Sequence, residues 1–85
     1  MNISSQKERK AFWMYLHEVH SPDVINTALQ TLAPDTVRIL LLFYEENKTF
    51  TEIACETGRS LSIVRTHHNR GIFKLRKYFA EKPLE

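Results

Sequence analysis

The stretch that decides the fold is Thr49–Phe79, TFTEIACETGRSLSIVRTHHNRGIFKLRKYF. Thr49 and Glu52 have the spacing of a capping box: the Thr hydroxyl can accept from the Glu52 N–H, and the carboxylate can reach back. Phe50, Ile53, Ala54 and Thr57 then recur on one side at helical spacing, so a short helix is predicted to pack there. Ala54 is small where a second helix would need to come close. Gly58 follows the last periodic residue, where a residue without Cβ most easily adopts a left-handed backbone. Ser60 can cap a new helix two residues later. A stop and a restart this close force a sharp change of direction.

The second helix is predicted over about residues 61–79, with room to reach Ala80. Leu61, Val64, His68, Ile72, Leu75 and Phe79 form its inner stripe. Ser62, Arg65, Thr66, Asn69 and Arg70 lie off that stripe near the helix start, and Lys74, Arg76 and Lys77 follow in later turns. Between Arg59 and Tyr78 there are six basic residues and no acidic one. A merely solvated basic face would carry the same charge. The cap, the turn glycine, the small packing residue and the one-signed charge together are the anatomy of a helix-turn-helix that reads DNA.

Upstream, Ile39–Tyr44 is apolar nearly all round and is predicted to be the central core helix, starting near Pro34 and ending at Glu45–Glu46–Asn47. Asn47 is a plausible left-handed cap. Ser21–Pro22–Asp23 supplies a cap hydroxyl, a proline at the first helical position and a carboxylate at the positive end of the dipole, for a helix to about Leu32. Residues 5–20 form a first helix, with Ser5 and Glu8 at capping-box spacing and an apolar stripe of Phe12, Tyr15, Leu16 and Val19, Trp13 lying beside it. Two readings of these aromatics stand open. They cover the core of a small domain, or Phe12 and Trp13 are partly exposed to a protein partner.

The expected fold class is therefore all-α: a small bundle of about five helices with a C-terminal helix-turn-helix and no winged elements. The chain of 85 residues is read as one domain, 1–85, with the aromatic helix at 5–20 and the helix-turn-helix at 22–79. Hydrophobic residues at 42% and charged ones at 26% are ordinary for a globular protein. No apolar run approaches a membrane span, and the N-terminus lacks the apolar core of a signal peptide, so a cytoplasmic protein is expected. The net charge of +2 hides a segregation: residues 1–56 hold five Lys/Arg and eight Asp/Glu, residues 57–85 seven and two. A DNA phosphate backbone is the natural partner of the positive half.

Leu32–Ala33–Pro34, then Ile39, Leu40, Leu42 and Tyr44, then Glu52–Ile53–Ala54, Gly58, Ser60, Val64, Arg70 and Leu75 together resemble the DNA-binding region 4 of bacterial sigma-70-type factors. They are also similar to the DNA-binding domains of LuxR-type response regulators, and Val64–Arg65–Thr66–His67 looks especially LuxR-like. LuxR-type domains carry a further helix after the recognition helix. Here Pro83 opposes any continuation beyond Ala80, while Asn26–Leu32 resembles the first helix of sigma region 4. The sigma-type arrangement is expected, in a free-standing regulator too short to hold also the sigma region that melts promoter DNA. Two positions depart from the pattern. Ile63 stands where both families usually have Thr, and His68 where an apolar core residue is usual.

By this resemblance Arg65, Thr66 and Asn69 sit at base-reading positions, with Ser62 and Arg70 flanking them. Arg65 suits guanine O6/N7, Asn69 adenine N6/N7, and the Thr66 methyl a thymine methyl. Thr49, Thr51, Arg59, Lys74, Arg76 and Lys77 are expected to meet phosphate. As the alternative to DNA reading, the resemblance implies a protein-interaction module bound by RNA polymerase or an anti-sigma-type protein, for which the aromatic first helix offers Phe12 and Trp13. Binding as a monomer and as a homodimer are both open. His17, His20, His67, His68 and Cys55 offer metal-ligand types, but at no spacing of a closed zinc site. No catalytic signature appears, so neither an enzyme, a cofactor nor a metal is expected.

Overall fold

Three helices start on side-chain caps. Ser21 accepts from the Val24 N–H at 3.4 Å, Thr49 from Glu52 N–H at 3.1 Å and Ser60 from Ile63 N–H at 3.2 Å. Each hydroxyl satisfies one of the donors that a helix start leaves unpaired. The computed structural model describes the backbone of residues 3–81 and the side chains of residues 10–81. Within these residues the chain forms α1 (Ile3–Val19), α2 (Pro22–Leu29), α3 (Pro34–Tyr44), α4 (Phe50–Thr57) and α5 (Leu61–Ala80), with no strand.

The turns follow local chemistry. At Thr49 the capping box is complete, the Thr49 N–H donating to Glu52 Oε1 at 2.8 Å. Gly58 has φ +71° and Asn47 φ +57°, the left-handed conformation that each site requires to turn the chain. The Arg59 N–H then returns to the Ala54 carbonyl at 3.1 Å, and Lys48 N–H to the Leu42 carbonyl at 3.0 Å, closing the ends of α4 and α3.

Two boundaries differ from expectation. α2 stops at Leu29 rather than Leu32, because Thr31 and Leu32 donate to the carbonyls three residues back, Ala28 and Leu29. That tighter turn brings Ala33 to an extended ψ of 145°, as the following Pro34 demands. α1 already runs at Ile3, so Ser5 lies inside the helix instead of capping it, and the Ser5 and Glu8 side chains fall outside the described ones.

One apolar cluster draws on all five helices, with Leu16, Ala28, Ile39, Leu40, Ile53, Val64 and Leu75 among its members. α3 supplies the most buried residues, and it packs against α5 and α4, which also touch each other. The close approach between α3 and α5 falls at Gly71: a Cβ there would stand 2.7 Å from Thr36 Cγ2 and 2.9 Å from Leu40 Cδ1. The sequence reading placed the close contact at Ala54 and did not single out Gly71.

On α1 the buried face is also displaced. Trp13 is 5% exposed and Leu16 buried, whereas Tyr15 and Val19 of the expected stripe face solvent. The Trp13 indole stacks on Tyr44 at 4.8 Å with planes 3° apart, and its Nε1–H donates to Glu45 Oε2 at 2.7 Å. That bond lets the most polar atom of a large ring sit at the core edge. α1 thus clasps the end of α3.

Candidate nucleic-acid interface

α5 buries one stripe and presents another. Val64, His68, Gly71 and Leu75 are buried, at the three- and four-residue steps of one helix face. The opposite face, at the same steps, is Ser62, Thr66, Asn69, Phe73 and Lys77, all exposed. Arg65 and Arg70 are exposed on either flank of that stripe. Ser62 to Asn69 spans roughly 10 Å of helix axis, a reach comparable with the roughly 12 Å width of a B-DNA major groove. The expected base-reading residues therefore share one free surface.

The Thr66 hydroxyl donates back to the Ser62 carbonyl at 3.0 Å, which leaves its methyl as the group free to meet a base. Asn69 Oδ1 pairs with His68 Nδ1 at 3.0 Å. Ile63, 43% exposed, offers only carbon where a hydroxyl was expected from the family pattern. Phe73 is 67% exposed in the middle of the outward stripe and was missed by the sequence reading. The same helical spacing that defines the inner stripe would have placed it there.

The residues expected to meet phosphate fall into two groups. Thr49, Thr51, Lys74 and Lys77 are exposed, the threonines at the start of α4, Lys77 on the outward stripe of α5 and Lys74 on its flank toward α3. Arg59 and Arg76 have partners within the chain. Arg59 forms a salt bridge with Asp35 at the start of α3, and the Arg76 guanidinium lies over the Phe12 ring at 4.6 Å. Both must share or leave those contacts to reach a phosphate.

Electrostatically the face is one-signed. α5 carries five Lys/Arg and no Asp/Glu. The acids of the neighbouring turns have partners within the chain: Asp35 with Arg59, Glu56 with Lys48 at 3.4 Å, and Glu52 in the capping box of α4. Such a surface concentrates a polyanion, and its exposed amide, hydroxyl and guanidinium groups match donors and acceptors on base edges.

The residues offered as a protein contact do not form an exposed pair. Trp13 belongs to the core, because its ring is taken up by Tyr44 and its N–H by Glu45, and Phe12 is half-buried beneath Arg76. Among the described residues no three of His, Cys, Asp and Glu converge as a metal site. No helix among them is long and apolar enough to cross a membrane.

The family model of sigma-70 region 4 matches residues 28–77, more than half of the chain. The protein belongs to the sigma-70 region 4 family. The match begins in α2 and ends near the close of α5, so it spans the helix-turn-helix and omits α1. Region 4 is a DNA-binding helix-turn-helix domain, and DNA binding in transcription follows for this chain at that level. Neither the curated proteins nor the solved structures compared with the chain gave a match.

Proposed function

We propose that this region 4 protein is a sequence-specific transcriptional regulator, working as one unit in which residues 22–79 read DNA and α1 braces them. The observation that carries the reading is the outward face of α5, where Ser62, Arg65, Thr66, Asn69 and Arg70 are all exposed on a helix without an acidic residue. α5 enters the major groove with its N-terminal half, and α4 crosses the backbone, its N–H groups and the Thr49 and Thr51 hydroxyls toward phosphate. Arg65 pairs with guanine and Asn69 with adenine, each bidentate contact giving about 1–3 kcal/mol of discrimination. Lys74 and Lys77, joined by Arg59 and Arg76 when these leave their intrachain partners, supply affinity without sequence information.

Selection from a pool of random duplexes, followed by salt titration, tests the proposal. A short motif should be enriched by the natural protein, with one position lost in Arg65→Ala. Neutralising about four phosphates should cost on the order of 10²-fold in affinity between 50 and 200 mM salt. Binding with no enriched motif would refute sequence reading.

A second reading, contact with RNA polymerase or an anti-sigma-type protein, is favoured by a different surface from the one expected on α1. An open groove of about 700 Å³ runs along α3, lined by Leu32, Val37, Leu41 and Leu42 and rimmed by Arg38 and Glu46. None of the residues that line it belongs to α5, and one, Glu56, comes from α4. Leu41→Glu should weaken capture of polymerase subunits and leave duplex selection intact.

A further inference from the structure

His68 occupies a position where the family pattern calls for an apolar residue, yet it is 2% exposed. A buried imidazole needs partners for both nitrogens, and this one has them. Nε2 lies 2.7 Å from the buried Tyr44 hydroxyl, and Nδ1 lies 3.0 Å from Asn69 Oδ1. The ring is held in plane by carbon as well. Phe43 and Phe50 approach it edge-on at 5.2 and 5.1 Å, and Tyr44 is itself stacked on Trp13. A chain of contacts therefore runs from α1 through α3 to α5 and ends on a side chain of the outward face.

The direction of that chain follows from its donors and acceptors. The amide turned over, with the ring proton on Nε2 and donated to the Tyr44 oxygen, is the alternative that the tautomer measurement below separates; with Asn69 Oδ1 facing the ring, the proton of the neutral ring sits on Nδ1. Nε2 is then bare, and the Tyr44 O–H donates to it. An amide oxygen has two lone pairs. With one taken by His68, the other lone pair and the NH2 group remain for the groove, which is the donor–acceptor pair that adenine N7 and N6–H2 require. Without the anchor, the amide is free to rotate by half a turn and exchange its donor for its acceptor.

We propose that His68 is a positioning residue for base reading: anchored by Tyr44, it fixes the orientation of the Asn69 amide and so sets the base preferred at that position. The proposal rests on α5 being the DNA-reading helix. It assigns the polar core residue a role in specificity, in addition to its packing.

Two measurements test it, one without DNA. In the free protein at mildly alkaline pH, two-bond proton–nitrogen NMR correlations of the imidazole should show the His68 proton on Nδ1. The Asn69 side-chain NH2 should be motionally restricted, and become mobile in His68→Leu, which fills the site with carbon, and in Tyr44→Phe, which keeps the imidazole. A proton on Nε2, or an amide equally mobile in all three proteins, would overturn the anchor. In random-duplex selection, His68→Leu should lower the preference at the position lost in Asn69→Ala by about tenfold, leaving the Arg65-dependent position unchanged. The His68→Leu/Asn69→Ala double variant should lose no more there than Asn69→Ala alone. A uniform fall at every position, as from a merely loosened fold, or no fall at all, would overturn the specificity role. Should the natural protein enrich no motif, the DNA reading beneath the proposal fails, while the tautomer and amide motion still decide whether His68 holds Asn69.

Discussion

Replacing Gly71 by Ala sets two effects of known size against each other. In an unobstructed helix interior the change would stabilise the protein by about 1 kcal/mol, because Gly loses more backbone freedom than Ala. Here the new Cβ would stand 2.7 Å from Thr36 Cγ2 and 2.9 Å from Leu40 Cδ1. Leu40 is fully buried, so its methyl has little room to turn away. Thr36 is buried and β-branched, and its hydroxyl is held by His67 Nδ1 at 2.8 Å, so rotating it breaks a hydrogen bond. Forcing an extra carbon into such a contact costs about 1–3 kcal/mol. The expected net loss is about 1 kcal/mol, or about 4–8 °C in Tm for a domain of this size. Urea unfolding followed by circular dichroism measures it. Thr36→Ser keeps the hydroxyl and removes Cγ2, so Gly71→Ala should be nearly neutral in that background, a coupling of about 1 kcal/mol. A Gly71→Ala protein more stable than the natural one would refute the close approach of α3 and α5. An equal loss in both backgrounds would clear Thr36 as the obstacle.

Other outcomes follow from the same geometry. Trp13→Ala should cost about 3–5 kcal/mol in urea unfolding, and Trp13→Phe, which keeps the stack on Tyr44 but drops the N–H to Glu45, about 1–2 kcal/mol. Asp35→Asn releases Arg59 and removes a negative charge near the turn, so fluorescence anisotropy should show duplex binding strengthened several-fold at low salt. Its stability should change by less than about 1 kcal/mol, since the pair is solvent-exposed. Thr49→Ala removes one half of the capping box and should cost about 1 kcal/mol, with faster hydrogen exchange confined to the first turn of α4.

What the sequence disclosed was what neighbouring residues decide among themselves. Ser21, Thr49 and Ser60 cap their helices by accepting from the N–H three residues ahead, and Gly58 and Asn47 turn the chain in the left-handed conformation. The exposure of Ser62, Arg65, Thr66, Asn69 and Arg70 follows from the stripe of Val64, His68 and Leu75 on the other side of the same helix. Illegible features depend on residues far along the chain. Trp13 goes to the core instead of Tyr15 because Tyr44 and Glu45 offer it a ring and a carboxylate. Arg59 is engaged by Asp35, 24 residues earlier, and Gly71 matters only because Thr36 and Leu40 press against it. His68 read as a flaw in an apolar stripe, for no periodicity reveals the Tyr44 hydroxyl waiting beside it.

The most direct measurement of the central claim is a titration of isotope-labelled protein with a duplex carrying the selected motif, followed by backbone and side-chain NMR. α5 as the reading helix predicts that shifts concentrate on Thr49, Thr51 and the Ser62–Arg70 face, including the Arg65 and Asn69 side chains, and leave α1 unmoved. Shifts centred instead on the groove of Leu32, Val37 and Leu41, with the outward face of α5 unchanged, would contradict it.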